Sequence, residues 1–179
     1  MTFTYKCPVC LNVSAQADQN GTECFYCRAY KSMPEHLLDI IADHVKPDSV
    51  IADVGCMNCR LSFYLDTSLV SYRYLYCIDA RSARFNRSCT KYIQCNTLCE
   101  HDVKNAFSEM SPVDILILDA HDDYDGARND FYNFCGIVRI GGKIFLHGQD
   151  NDSFWNFIAE LTEWRIVESF DNLVMVHWE

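Results

Sequence analysis

Two cysteine pairs stand near the start of the chain, Cys7-Pro8-Val9-Cys10 and Cys24-Phe25-Tyr26-Cys27, separated by 13 residues. A C-x2-C turn aims two thiolates at one point, and two such turns supply the four soft ligands that tetrahedral zinc takes at about 2.3 Å. Four unrelated buried thiols are the competing reading, but residues 1–31 are polar, turn-rich and too poor in apolar residues for a core of their own. The spacing predicts a structural zinc knuckle over residues 1–31, with Cys7, Cys10, Cys24 and Cys27 as ligands. A full cysteine set leaves no open coordination position, so this metal is expected to stabilise the segment and not to catalyse. Cys56-Met57-Asn58-Cys59 repeats the spacing. It follows an apolar strand and has no second pair nearby, which favours ordinary thiols over a second metal or redox site. Cys77, Cys89, Cys95, Cys99 and Cys135 form no readable pattern.

A second group of residues points to a nucleoside-containing ligand. Asp53-Val54-Gly55 closes one apolar strand, and Ile78-Asp79-Ala80 closes the next. In an open α/β sheet the ligand crevice lies beyond the carboxyl ends of the strands, where Gly55 permits a tight turn and an acid such as Asp79 can accept both hydroxyls of a ribose. The free amides of a helix starting near Arg60 would point into the same crevice.

The elements that must position these residues begin at residue 32. Ser32-Met33-Pro34-Glu35 reads as a helix start with Ser32 as cap. Leu37, Leu38, Ile40, Ile41 and Val45 follow at helical spacing. Strands are then predicted at Ser49–Val54, Arg73–Ile78, Tyr92–Gln94, Val113–Leu118 and Lys143–Leu146, the last entered through a Gly141-Gly142 turn. Helices are predicted at Arg60–Leu69, Arg81–Lys91, Val103–Met110, Ala127–Ile137 and Asp152–Leu161. Near-continuous apolar strands separated by helices imply a parallel sheet covered on both faces. Trp164–Phe170 and Leu173–Trp178, joined by Asp171-Asn172, break the alternation as a closing antiparallel hairpin.

Bulk properties narrow the classes further. With 179 residues, 49% of them hydrophobic, the chain can bury one sizeable core plus an appendage. No window approaches a membrane span. The N-terminus lacks the pattern of a secretory signal. Eleven cysteines without an export signal fit a reducing, cytoplasmic setting. A formal charge of −10 disfavours non-specific binding to nucleic acid or anionic lipid. Arg81, Arg84, Arg87 and Lys91 would form a narrow basic stripe if helical. Such a stripe is usually a solvated face, and otherwise could approach a nucleotide or RNA.

From residue 34 to 179 the sequence resembles class I S-adenosylmethionine-dependent methyltransferases. The resemblance is carried by Asp114-Ile-Leu-Ile-Leu-Asp119-Ala-His121-Asp-Asp-Tyr124-Asp-Gly126-Ala-Arg-Asn-Asp130 and by Arg139-Ile-Gly141-Gly142-Lys-Ile-Phe-Leu-His147. These are similar to the "DH-x-Y-x-G" and "GG…LHD" patterns of the small O-methyltransferase-type branch. The resemblance implies a Rossmann-like, mostly parallel seven-stranded sheet over 32–179, with S-adenosylmethionine as cofactor. It implies that Asp53 and Gly55 hold the methionine end of the cofactor, that Asp79 and Ala80 lie at the ribose, and that Cys95 and Asn96 flank the adenine. Asp119 would face the reacting methyl group, with His121 or His147 as candidate general base, since imidazole titrates near neutrality. The alternative for either histidine is a hydrogen bond that only shapes the loop. Two departures stand out: Cys59 occupies the place of a second family glycine, and Gly148 that of an aspartate. In metal-dependent members resembling catechol O-methyltransferase, that region supplies a carboxylate to magnesium. Asp150 is the nearest substitute, and transfer without a catalytic metal is the expectation. The acceptor is unidentified, a small molecule or else RNA or a nucleotide. A non-catalytic adaptor with the same fold is the competing function. An NAD-dependent oxidoreductase is disfavoured by the missing G-x-G-x-x-G.

Overall fold

The computed structural model describes residues 33–56, 59–81, 88–121, 123–148 and 152–177, together with two short strands, β1 (Tyr5–Lys6) and β2 (Val13–Ser14). These two pair antiparallel. The expected zinc ligands Cys7, Cys10, Cys24 and Cys27 lie outside the described residues, as do Ser32, Arg84, Arg87, Asp122 and Asp150.

Seven strands form the main sheet: β3 (Val50–Val54), β4 (Tyr74–Asp79), β5 (Thr90–Gln94), β6 (Val113–Leu118), β7 (Val138–His147), β8 (Arg165–Phe170) and β9 (Leu173–His177). Their order is β5-β4-β3-β6-β7-β9-β8. The first five in that order run parallel. β9 inserts antiparallel between β7 and β8. Asp171 turns this hairpin at φ +48°, the left-handed conformation that an Asp-Asn pair tolerates.

Alternation along the strands sorts side chains onto two faces. Val50, Ala52, Val54, Ile78, Leu116 and Leu118 face α3 (Glu100–Ser108), α4 (Tyr124–Phe134) and α5 (Asp152–Glu160). Ile51, Leu75, Cys77, Ile115 and Ile117 face α1 (Glu35–Asp43) and α2 (Arg60–Thr67). Leu37 and Ile41 of α1 and Leu65 of α2 are fully buried on that side. Each such side chain contributes about 1.5–3 kcal/mol on leaving water. The chain moves from β3 outward to β4 and β5, then crosses back to β6. The order of the strands therefore reverses between β3 and β6, and a crevice opens at their carboxyl ends.

Several local expectations are corrected. Lys91 lies in β5, opposite Tyr76 of β4, so no helix runs to it. Its ammonium sits 2.8 Å from the Glu109 carboxylate, and the helical basic stripe fails at this residue. Gly141 and Gly142 do not form an entry turn. They lie inside β7, where Gly141 takes φ +80° and pairing with β6 jumps from Val113↔Val138 to Ile115↔Lys143, a bulge. α2 ends at Thr67 and not Leu69, because Leu69 takes φ +57°. α1 starts behind Pro34, which occupies the N-cap without a side-chain bond. α4 starts earlier than expected because the Asp123 carboxylate accepts the Gly126 N–H at 2.9 Å, an N-cap bond.

Candidate functional site

Sheet register explains why the candidate acids converge. Asp53 is level with Cys77 of β4 and Ile117 of β6. Two residues further on, Asp79 and Asp119 stand level with Gly55 and point, by alternation, to the same face as Asp53. Three carboxyl groups thus come from the ends of three adjacent parallel strands, at the reversal of strand order. The Asp53 carboxyl is buried, and burial first, then the neighbouring Asp119, Cys59 and Asp79, hold its pKa well above the usual carboxylate range. A cleft beside it is lined by Met33, Leu38, Asp53, Gly55, Arg60 and Asp119.

Gly55 is required here by geometry. Its φ is +86°, and a Cβ would lie 2.4 Å from the Asp119 carbonyl oxygen and 2.5 Å from the Ala120 backbone. The close approach is fixed by two backbone bonds: Gly55 N–H donates to Ile78 O and Asp119 N–H to Val54 O, both at 2.8 Å. Cys59 is the N-cap of α2 at φ 56°, ψ 41°. A non-glycine residue pays about 1–2 kcal/mol for that left-handed conformation.

The ribose and adenine candidates lie one strand outward. Asp79 Oδ1 accepts the Arg81 N–H at 2.9 Å, and the exposed Ala80 accepts a bond from Gln94 Nε2 through its carbonyl. Cys95 N–H donates to Asp79 O at 2.9 Å. The buried Cys95 thiol is pushed up to about 11, chiefly by burial. Asn96 is exposed, its N–H donating to Asp102 and its Oδ1 accepting the Leu98 N–H.

The two histidines differ in their surroundings. His147, at the end of β7, is 7% exposed. Its Nδ1 lies 2.6 Å from Asp119 Oδ1, and Asn172 Nδ2 lies 3.2 Å from its Nε2 and also donates to Gly148 O. An amide N–H can only donate, so Nε2 is the acceptor and Nδ1–H donates to Asp119. Both ring nitrogens are therefore engaged. His121 is half-buried, with Nδ1 2.9 Å from Asp130 Oδ2 and 3.5 Å from Thr97 Oγ1. Its Nε2 has no hydrogen-bond partner among the described residues. A Cβ on Gly126 would meet His121 Cβ at 2.5 Å, so that glycine lets the imidazole rest against the first turn of α4. Asp130 is 1% exposed and its Oδ1 has no hydrogen-bond partner among the described residues. Burial raises the Asp130 pKa, while Thr97 and His121 pull it back.

From sequence, Asp130 only closes the motif stretch, Asn172 only turns the hairpin and Thr97 does not stand out, so none of them has a site role there. Asp130 left a readable signal: an acid among Ala127, Phe131 and Phe134 on the buried face of α4. Asn172 left none, since its partners come from β7. Gly148 has a local explanation: a Cβ there would lie 2.3 Å from the buried Phe154 ring, so any side chain at this position must displace that ring.

Strand order, the glycine turn after β3 and the reversed β9 define the class I methyltransferase fold. Solved structures agree. The chain is similar to the MycE methyltransferase of the mycinamycin biosynthetic pathway, in complex with Mg and S-adenosylhomocysteine, at TM-score 0.65 and 13% identity over 80% of this chain and 48% of that one. It therefore spans about half the length of MycE. An rRNA methylase from Streptococcus thermophilus matches at TM-score 0.56 and 13% identity, over 83% of this chain and 98% of that one. TrmK of M. capricolum, in complex with the cofactor product S-adenosylhomocysteine, matches at TM-score 0.57 and 16% identity, over 82% and 69%. No family profile matches the sequence, and no curated protein does.

Proposed function

We propose that this chain binds S-adenosylmethionine at the ends of β3, β4 and β6 and transfers its methyl group to an oxygen or nitrogen acceptor without a catalytic metal. The convergence of Asp53, Asp79 and Asp119 around Gly55 carries the reading. Three acids gathered at one crevice, one with its ionisation suppressed by burial and its neighbours, suit a ligand that brings positive charge. S-adenosylmethionine brings an ammonium, a sulfonium and a ribose diol. Arg60, lining the same cleft as Asp53, offers the opposite charge to the carboxylate of the amino-acid end.

When bound, the cofactor supplies a methyl carbon already activated by its sulfonium. The chain's own contribution is alignment, worth up to roughly 7–11 kcal/mol in well-oriented systems, and removal of one proton. With the cofactor held there, His121 Nε2 would take that proton from the acceptor's O–H or N–H, while the new bond to carbon would replace the carbon–sulfur bond and the electron pair of that bond would leave on sulfur as S-adenosylhomocysteine. Asp130 holds the imidazole through Nδ1 and stabilises it once protonated. His147, with both nitrogens engaged, positions Asp119. Asp79 binds the ribose hydroxyls, Asp53 and Gly55 the methionine end, and Cys95 with Asn96 borders the adenine.

The four N-terminal cysteines form, in this reading, a structural zinc knuckle. Among the described residues no helix is long and apolar enough to cross a membrane, and a chain so rich in cysteine suits the cytoplasm. The acceptor is a small molecule, or else RNA or a nucleotide.

The test is single-turnover transfer of labelled methyl groups to fractionated extract, with and without EDTA. Transfer that survives chelation is the expected result. Activity that disappears with EDTA and returns with magnesium would overturn the metal-free reading, and cofactor binding without transfer to any fraction would make the chain an adaptor.

A further inference from the structure

Beneath the glycine turn the fold brings the two thiols of one C-x2-C turn together with a third from the neighbouring strand. Cys56 follows Gly55, Cys59 caps α2, and Cys77 lies in β4 opposite Asp53. Their sulfur atoms all lie within 4.8 Å of one another. They are buried, at 5%, 1% and 0% exposure. Two thiolates on one zinc at about 2.3 Å each stand roughly 3.8 Å apart in a tetrahedral site. The trio is therefore within a small contraction of a ligand set.

Ordinary buried thiols account for the burial but not for the backbone. Cys59 holds a left-handed conformation that glycine would take without strain. A strained non-glycine residue at a site turn calls for a reason located in its side chain. That side chain meets Cys56 from the same C-x2-C turn and Cys77 from the neighbouring strand.

We infer that Cys56, Cys59 and Cys77 form a second soft-metal site, taking zinc as a three-thiolate ligand set that ties the cofactor turn to β4. Three S–H bonds are lost and three Zn–S bonds form, with the three protons released to solvent. Soft thiolates select such a cation over magnesium or calcium. Among the described residues no fourth His, Cys, Asp or Glu joins the group, so water or another small ligand takes the fourth position. The site is distinct from the four N-terminal cysteines and does not depend on methyl transfer.

Zinc content of freshly purified, reduced full-length protein tests this, compared across wild type, Cys24→Ser, Cys59→Gly and the double variant. Cys59→Gly is chosen because it relieves the backbone while removing one ligand. Wild type is expected to hold one equivalent more than Cys59→Gly, and the double variant less than either single one. Cadmium-loaded wild type, read by cadmium NMR, gives the same answer without any substitution: a resonance from a three-sulfur site separate from any four-sulfur one. Equal zinc in wild type and Cys59→Gly with no three-sulfur cadmium resonance overturns the site. A Cys56–Cys59 disulfide in the reduced preparation, found by counting free thiols, overturns it as well.

Discussion

Replacing His121 by alanine is expected to lower the single-turnover rate of methyl transfer by about 10²-fold or more, the scale of losing a general base. Affinity for S-adenosylmethionine should stay nearly unchanged, because the loss falls on the transition state and not on cofactor binding. The reason lies in the contrast between the two histidines. His147 is closed off by Asp119 on one nitrogen and Asn172 on the other. His121 spends only Nδ1, on a buried aspartate. Asp130→Asn is the matched test: the fold should persist, while the rate falls by less than in His121→Ala, since the neutral amide holds the imidazole less firmly. If His121→Ala leaves the rate intact while His147→Ala abolishes it, the two roles are reversed.

Gly55→Ala is expected to be the most damaging single substitution in the crevice, costing about 3 kcal/mol or more from a strained left-handed residue and overpacking together. The atoms that a Cβ would strike belong to the backbone of Asp119 and Ala120. They cannot swing aside as a side chain would, so β3 and β6 must separate. In a chain of this length about 3 kcal/mol lowers Tm by roughly 6–12 °C. Gly136→Ala is the control, since nothing lies within 4 Å of its Cβ position. Thermal unfolding of the two variants measures the difference, and equal midpoints would refute the argument.

Sequence reading was most reliable where one physical signal acted alone. Val113–Leu118 is bounded as expected, because a run of buried aliphatic residues between polar ends admits one interpretation. The strand ends carrying Asp53, Asp79 and Asp119 were legible for the same reason. Thr90 and Lys91 read as the end of a helix because Lys91 falls in step with Arg81, Arg84 and Arg87, whereas both lie in the edge strand β5. Gly141 and Gly142 suggest a turn in any single sequence, and only pairing with β6 turns them into a bulge. Cys77 could not be joined to Cys56 and Cys59 in advance, because that contact depends on the register of β3 against β4. The choice between His121 and His147 likewise rests on Asn172 and Asp130, which reach them from the far hairpin and from within α4.

The central claim is that the crevice at Gly55 binds an adenosyl sulfonium cofactor. Isothermal titration of S-adenosylhomocysteine and S-adenosylmethionine into the full-length protein, with NAD as comparison, tests it most directly. Saturable binding of one equivalent of either adenosyl ligand is expected, with no heat from NAD. Asp79→Ala should lose most of that affinity and keep the wild-type fold by circular dichroism. Absence of binding heat for both adenosyl ligands at millimolar concentration, in protein shown to be folded, would contradict the account.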